Sequence, residues 1–243
     1  MKQFFFLLTG IYCYVVSFAQ FNDTTHYYVD YLSAGTINKT QNTSSYLLNN
    51  VFKFSVNEKS ISLNSNSSWI YGRQEQLLTN NDFSSSLDMD VNKNLHHFYY
   101  WGLANYNKSY SLKINNRFQI GAGGAYNIIN RKNAAFNISD GLLYENSNIN
   151  LNDSTRDVYH TVRNSLRLKF RFVLKDIILL DGIDFLQNSL SNGPDYIIQS
   201  NTNLSIKLRK WLNLTVSETY NKLNRTNREN LLITYGLRVE TYF

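Results

Sequence analysis

A strict alternation of apolar and polar residues over positions 230–243 is the clearest pattern in the chain. One set of alternate positions is almost entirely apolar and contains Leu231, Ile233, Tyr235, Leu237, Val239 and Phe243. The other set carries every charge of this stretch, namely Arg238 and Glu240. A two-residue period sustained over this length predicts a β-strand with one apolar face and one polar face.

The same period recurs along the chain and predicts about twelve strands. In residues 83–91, Asp88 and Asp90 alternate with apolar neighbours, and in residues 158–174 basic residues alternate with Leu and Phe. The predicted strands cover residues 27–37, 45–56, 61–71, 83–91, 95–106, 117–129, 134–144, 158–174, 177–189, 196–208, 211–221 and 230–243. Most are long enough to cross a bilayer, which takes roughly 9–11 residues of tilted strand. We therefore predict an all-β fold, an antiparallel transmembrane β-barrel formed by residues 20–243 as one domain.

Short connections alternate with longer ones between these predicted strands. The short connections are residues 57–60, 92–94, 130–133, 175–176 and 209–210. The longer connections are residues 72–81, 145–157, 190–195 and 222–229. Bacterial outer-membrane barrels show this asymmetry, with short periplasmic turns and longer extracellular loops. An even number of strands then places both termini on the periplasmic side.

The first residues have the pattern of a secretory signal peptide. Lys2 precedes an apolar stretch, and Ser17 and Ala19 form a small-x-small cleavage pattern, so we predict a signal peptide over residues 1–19. A membrane anchor is less favoured, because the apolar run is shorter than the roughly 20 residues that a spanning helix needs. Cys13, the only cysteine, lies in this segment, which leaves no disulfide or thiol chemistry in the exported protein.

Composition and charge fit an exported barrel. The mean hydropathy of −0.36 is low for a membrane protein, but only alternate residues of a barrel strand meet lipid. The formal net charge of +6 favours acidic partners. Because an exported protein rarely meets nucleic acid, we expect outer-membrane lipid, lipopolysaccharide and small anionic solutes as partners, and no nucleic acid. The predicted location is the bacterial outer membrane.

The end of the chain resembles the ends of other outer-membrane barrels, which close on Phe. This resemblance implies that Tyr235, Leu237, Val239 and Phe243 form a signal that the barrel-assembly machinery reads during insertion. Rings near the ends of predicted strands are expected to anchor the barrel at the two membrane interfaces. These rings are Trp69, Tyr71, Tyr99, Trp101, Trp211 and Tyr242.

The order of features is similar to that of the YdiY-like salt-induced outer membrane protein family, a group of barrels of unknown function. The features that carry the resemblance are the glycine-rich residues 121–126, the basic residues 163–171, the Tyr235-Gly236 pair and the closing Phe243. The resemblance implies location and fold, and it brings no substrate or catalytic residue with it.

The strongest candidate for chemistry is a row of basic residues on the predicted inward faces. It consists of Arg163, Arg167, Lys169 and Arg171 on one strand, with Lys207 and Arg238 on later strands. In a narrow lumen such groups would attract anions. Alternatively they pair with inward acids, predicted to be Asp88, Asp90, Glu240 and Asp184, and fill the lumen. Both interpretations remain open at this point.

Catalysis and metal binding have little support in the sequence. The histidines are His26, His96, His97 and His160, and no spacing places one beside a nucleophile. No histidine or cysteine cluster of metal-site type occurs. We therefore expect a non-enzymatic protein without a cofactor or metal. A phospholipase-like barrel with a site around His160 and a soluble periplasmic β-sandwich that binds a ligand remain as alternatives.

Overall fold

The structure, a computed structural model, describes residues 26–41, 43–92, 97–152 and 155–243, apart from the side chain of Tyr242. The predicted signal peptide, residues 1–19, lies outside these residues. Within the described part of the chain, no helix has the length and apolar character needed to span a membrane.

Twelve antiparallel strands form one closed barrel, in which each strand pairs with its neighbours in sequence and β1 pairs with β12. The strands are β1 (Tyr27–Lys39), β2 (Ser44–Asn57), β3 (Ile61–Gln74), β4 (Leu77–Val91), β5 (Phe98–Ser109), β6 (Ile114–Arg131), β7 (Ala134–Asn150), β8 (Arg156–Leu174), β9 (Ile178–Ser189), β10 (Tyr196–Lys207), β11 (Leu212–Leu223) and β12 (Arg228–Tyr242). A short 3-10 helix, Asn224–Thr226, connects β11 to β12. The predicted fold class and the strand number are confirmed.

The alternation that predicted β12 separates its two faces in the barrel. Leu231, Ile233 and Tyr235 point outward and are 56–62% exposed, whereas Thr234 and Arg238 point into the lumen and are 1% and 5% exposed. Closure of the sheet pairs the backbone groups of the first and last strands, which lipid could not satisfy. We call the end that carries both chain termini the periplasmic end, following the orientation of bacterial barrels.

Two of the predicted longer loops, residues 72–81 and 145–157, are wrong, because strands continue through most of them, whereas residues 190–195 connect β9 to β10 as predicted and residues 224–227 connect β11 to β12. β3 and β4 leave only Glu75 and Gln76 between them, and Glu75 takes a positive φ of 55° at this turn. β7 and β8 also extend through most of residues 145–157. Residues 145–157 are rich in Asn, Ser and Asp, and residues 72–81 contain Gln and Asn. Polarity alone cannot separate a loop from a strand that extends past the bilayer.

The register around residues 106–117, which the sequence pattern leaves undefined, is fixed by a tight turn. Asn107 pairs with Arg117, and after a β-bulge Ser109 pairs with Ile114. Lys113 has a positive φ of 59° in the turn between β5 and β6. This turn brings the inward faces of β5 and β6 into register at the extracellular end.

The glycine-rich stretch lies in β6, as predicted, and makes room for an indole ring. Trp101 points into the lumen and lies over Gly123 on β6 and Gly141 on β7, where an added Cβ would come within 2.8 and 2.6 Å of the ring. The indole nitrogen donates to the Gly124 carbonyl at 3.1 Å. The prediction that Trp101 anchors the membrane interface is therefore wrong, and so is that for Tyr99, which is 1% exposed.

We expect Gly141→Ala to destabilise the barrel by about 1–3 kcal/mol, because the new methyl group would overlap both the Trp101 ring and the backbone of β6. The matched control is Gly102→Ala, since a Cβ at Gly102 meets no atom closer than 3.9 Å. Urea unfolding of the refolded barrel, followed by heat-modifiable gel mobility, measures the difference. Equal stability of the two variants would contradict this account of the glycines.

Candidate functional site

The extracellular end of the lumen is closed by an apolar cluster, which we call the outer apolar cluster. Its members are Leu112, Ile114, Ile149, Ile197 and Leu223, all at most 7% exposed. They come from the β5–β6 turn, β6 and β7 on one side and from β10 and β11 on another. Because these positions lie around much of the barrel rim, their side chains meet across the mouth and exclude water there.

Below this cluster, Glu145 on β7 is the centre of a buried hydrogen-bond network. Its Oε2 atom accepts from Arg163 Nε at 2.7 Å and from Gln119 Nε2 at 2.7 Å. Its Oε1 atom accepts from Ser147 and Tyr159 at 2.8 and 2.7 Å, and from Arg163 Nη2 at 3.2 Å. Five donors therefore hold this fully buried carboxylate in one position.

Arg163 on β8 extends this network to the loop between β9 and β10. Its Nη2 atom donates to both carboxylate oxygens of Asp195, at 3.0 and 3.1 Å, and both side chains are almost fully buried. Gln119 on β6 also donates to Gln187 on β9 at 2.9 Å. The contact between Gln119 and Gln187 joins β6 to β9, which are not neighbours in the sheet, so it fixes the width of the lumen at this level.

Arg225, in the 3-10 helix, covers the network from outside. Its guanidinium donates to Asp157 at 2.8 Å and to Asp195 at 2.9 Å, and it lies 3.6 Å from the centre of the Tyr159 ring. Partial burial lowers the pKa of this guanidinium, but the hydrogen bonds to the two carboxylates raise it above its ordinary value. The sequence pattern placed Arg225 in a charged loop and gave no sign of this contact.

A second apolar group, the inner apolar cluster, lies deeper in the lumen and consists of Tyr99, Trp101, Leu103, Ala125 and Leu143. Beside it, the Arg167 guanidinium lies 5.0 Å from the centre of the Trp101 ring and donates from Nε to Ser139 at 2.9 Å. Its Nη1 atom donates to Asp88. Because Arg167 is on β8 and Asp88 is on β4, this ion pair crosses the lumen.

Near the periplasmic end, Arg238 on β12 joins three strands. It donates to Asp30 on β1 from Nε at 3.0 Å and from Nη2 at 2.8 Å, and to Asp181 on β9 at 2.9 Å. Lys53 on β2 lies 3.7 Å from Asp30. The sequence pattern did not identify Asp30 and Asp181 as inward acids, because the inward faces of β1 and β9 also carry apolar residues.

The predicted basic row is divided among separate contacts. Arg163, Arg167 and Arg238 are buried in three different ion-paired networks. Lys169, Arg171 and Lys207 are half-buried in the periplasmic half of the lumen. In the described part of the chain, no ion pair involves Arg171 or Lys207. The basic residues therefore share the inward face of the barrel but do not form one continuous row.

The predicted acids lie inside the lumen with one exception. Asp88 contacts Arg167, Asp90 is 1% exposed, and Glu240 accepts from the Tyr28 hydroxyl at 3.2 Å. The prediction for Asp184 is wrong, because Asp184 pairs in register with Leu168 and lies on the outer face of β9. Asp181, on the opposite face of β9, is the inward acid of that strand.

A family comparison supplies the next observation. The sequence matches the family model described as protein of unknown function, DUF481, over residues 32–232. The chain belongs to the DUF481 family. The predicted membership of a barrel family of unknown function is confirmed, while the YdiY-like designation stays a prediction. None of the curated proteins compared with this DUF481 chain gives a significant match.

Solved outer-membrane barrels are similar to this DUF481 protein in fold. The translocator domain of the autotransporter NalP from Neisseria meningitidis aligns with a TM-score of 0.52 at 11% identity, over 90% of this chain and 89% of that one. The NanC porin aligns with a TM-score of 0.50 at 11% identity, over 88% of this chain and 98% of that one. At this identity the likeness shows the fold alone. The soluble β-sandwich alternative is wrong, because the sheet closes on itself.

The structure places His160 on the outer face of β8, close to the extracellular rim. It lines a groove of about 370 Å³ together with Tyr144, Val162 and Leu190. Ser191, at the edge of this groove, is bonded to the inward hydroxyls of Thr161 and Ser189 at 3.0 and 3.2 Å. His160 thus has no serine hydroxyl as a hydrogen-bond partner among the described residues, which do not include Ser154.

Two further groups of predicted residues have defined positions. Tyr235, Leu237 and Val239 face outward from β12, and the ring of Phe243 stacks on that of Tyr27 at 5.8 Å. Recognition of these residues by the barrel-assembly machinery stays a prediction. In residues 26–41, 43–92, 97–152 and 155–243, no group of three or more His, Cys, Asp or Glu side chains is arranged to hold a metal ion.

We expect Arg238→Met to lower the free energy of unfolding of this DUF481 protein by about 3–5 kcal/mol, because it leaves Asp30 and Asp181 buried without their main partner. The control is Lys207→Met, which removes the same charge from the lumen at a half-buried position. Urea unfolding measures the free energy of unfolding of both variants and of the unmodified protein. If both variants lose the same stability, the loss reflects net charge and not these ion pairs.

Proposed function

We propose that this DUF481 protein is a structural outer-membrane barrel whose lumen is held closed by ion pairs, and that it is not an enzyme. The observation that carries the proposal is the contact between Arg167 and Asp88. These side chains belong to strands four places apart in the ring of twelve, so the ion pair occupies the interior of the lumen. An open channel would need them to separate.

Two further levels of the lumen support closure. Above the central ion pair, Gln119 on β6 contacts Gln187 on β9 across the lumen, beside the buried contact of Arg163 with Asp195. Below it, Arg238 contacts Asp181. Buried pairs of this kind resist separation, because a charge left alone in a low-dielectric interior loses both water and its partner. Together with the outer apolar cluster they favour a filled barrel over a steady conductor.

The outer face supports the proposed outer-membrane location. Apolar residues alternate outward along the strands, and exposed rings such as Trp69, Tyr100, Trp211 and Tyr235 lie on this surface. Such a face fits lipid between two interfaces. The partners we propose are therefore outer-membrane lipid and lipopolysaccharide, and the barrel-assembly machinery during insertion, after export by the signal peptide.

A narrow path for small anions is the second candidate function. It rests on Lys169, Arg171 and Lys207, which leave a basic, half-buried surface in the periplasmic half of the lumen. Aligned cations of this kind would favour anions if a continuous path opened above them. The levels closed by Arg167 and Arg238 argue against such a path in the structure described.

Conductance across a planar bilayer tests the main proposal against the second candidate. The refolded barrel should give no steady current steps, because three ion-paired levels and the outer apolar cluster obstruct the lumen. Heat-modifiable gel mobility of the same sample shows that the protein is folded. Steady anion-selective steps, reduced in a Lys169→Gln/Arg171→Gln/Lys207→Gln variant, would overturn the closed barrel in favour of the anion path.

A lipid-hydrolysis assay tests the non-enzymatic part of the proposal. The refolded protein should release no fatty acid from phosphatidylethanolamine vesicles, with or without calcium, because no serine hydroxyl among the described residues is hydrogen-bonded to His160. His160→Ala is the control. Release by the unmodified protein that disappears in His160→Ala would replace the structural proposal with the phospholipase-like alternative.

A further inference from the structure

Two basic side chains inside the periplasmic mouth of the lumen are without a partner. Arg171 on β8 and Lys207 on β10 face inward and are half-buried, so both are in contact with solvent. Neither forms an ion pair or a side-chain hydrogen bond with another described residue. Asp181 pairs in register with Arg171. Its carboxylate, however, accepts from Arg238 at 2.9 Å and from Asn203 at 3.0 Å. Arg171 and Lys207 are therefore available to an anion.

An apolar side chain lies between these two cations. Arg171 is aligned with Asp181 on β9, whereas the backbone amide of Lys207 donates to the carbonyl of Ile177. Four residues along a strand correspond to about 13 Å, so the two cations leave the wall at well separated points. Leu179 faces inward between these points and is half-buried. The mouth therefore suits two acidic groups joined by an apolar spacer better than one compact anion.

A buried amide beside Lys207 offers a further hydrogen-bond donor. Asn213 on β11 pairs in register with Lys207 and is 3% exposed. Its Nδ2 atom has no acceptor among the described residues. A buried donor without an acceptor has already lost its water, so a ligand oxygen that accepts from it restores a hydrogen bond at little further cost. Asn213 thus adds a second donor at the Lys207 end of the mouth.

A level of buried ion pairs closes the mouth on its inner side. Arg238 on β12 donates to Asp30 on β1 and to Asp181 on β9, across the lumen. Further in, Arg167 contacts Asp88. A ligand that enters from the periplasm is therefore held in the mouth and does not pass through the barrel. This step rests on the orientation and the closed lumen proposed above.

The rim outside the mouth is strongly basic on the same side of the barrel. The ends of the β6–β7, β8–β9 and β10–β11 hairpins carry five exposed basic residues and one acidic residue, namely Arg131, Lys132, Lys175, Arg209 and Lys210 against Asp176. The β2–β3 turn, in contrast, balances Glu58 with Lys59. A one-sided positive field of this kind raises the local concentration of anions and guides them to the mouth.

One carboxylate at this end of the lumen opposes an incoming anion. Glu240 on β12 is 9% exposed and accepts from the Tyr28 hydroxyl at 3.2 Å. No described cation forms an ion pair with Glu240. It is separated from Lys207 by β11, so its charge weakens the attraction of the mouth for an anion without occupying the Lys207 ammonium.

We propose that the periplasmic mouth binds a small dicarboxylate with an aliphatic spacer. One carboxylate accepts from the Arg171 guanidinium, whose parallel N–H groups match its two oxygens. The other carboxylate accepts from the Lys207 ammonium and the Asn213 amide. The spacer lies over Leu179, so apolar surface is buried between two charged contacts. The closed barrel thereby serves as a periplasmic binding protein for a dianion.

Isothermal titration calorimetry of the refolded full chain in detergent tests this site, with succinate at pH 7 as the probe. Succinate should bind, and butyrate, which has the same chain length and one carboxylate, should bind about tenfold more weakly. Arg171→Gln and Lys207→Gln should each raise the dissociation constant for succinate about tenfold. The matched control is Lys175→Gln, which removes the same charge from the rim; it should have less than about a twofold effect at physiological salt, where charges are screened within about 8 Å.

The outcomes that overturn the site differ from those that overturn the closed lumen. Equal affinity for succinate and butyrate, or equal losses in Arg171→Gln and Lys175→Gln, would show a general effect of charge and refute the site. Absence of succinate binding by the folded protein would refute it as well. Steady current steps together with unchanged succinate binding would contradict the closed lumen alone.

Glu240→Gln separates direct binding from damage to the fold. This change removes the opposing charge and should lower the dissociation constant for succinate about threefold. The Gln side chain keeps an oxygen that can accept from the Tyr28 hydroxyl. A merely structural role of the mouth predicts equal or weaker binding in this variant, and that result would overturn the proposal.

Discussion

Hydrogen bonding between β1 and β12 is the constraint on which the rest of the structure depends. Lipid offers no partner to a backbone amide or carbonyl, so a sheet that spans a membrane must close on itself. Tyr28 to Gly35 therefore pair with Tyr242 to Tyr235 and complete the ring. Once the ring is closed, the two-residue period of each strand decides which side chains meet lipid and which enter the lumen.

The lumen is narrow enough for inward side chains to reach across it. Arg167 and Arg238 contact carboxylates on strands that are remote in the ring, and apolar side chains lie between these charged levels. Each guanidinium orients several hydrogen bonds at once, which a flexible lysine would do less well. The interior thus resembles the core of a soluble protein in its packing, although polar groups supply most of its contacts.

The sequence predicted the features that depend on local periodicity. The apolar face of β12, the inward face of β8 and the number of strands follow from alternation alone, because side chains in a strand alternate between its two faces. The predicted loops at residues 72–81 and 145–157 are wrong because polar residues such as Asn serve equally in a loop and in a strand beyond the bilayer. The prediction for Asp184 is wrong because adjacent positions along β9 face opposite sides of the sheet, so a shift of one position moves a residue from the lumen to the outer face.

The arrangement of charges in the lumen could not be predicted in this way. Asp30 and Arg238 are 208 positions apart, and only closure of the ring makes them neighbours. Trp101 has an ordinary place in an aromatic stretch, and its inward position depends on glycines contributed by two later strands. Such contacts are set by register and ring closure, which a single strand does not reveal.

The seam between β1 and β12 has a consequence for folding. Arg238 lies on β12, yet it contacts Asp30 on β1 and Asp181 on β9. Until β12 joins β1, the sheet has two open edges, and Asp30 and Asp181 lack the guanidinium of Arg238. Contacts between such distant positions form slowly. Closure of the ring and formation of the ion-paired interior are therefore coupled steps of folding.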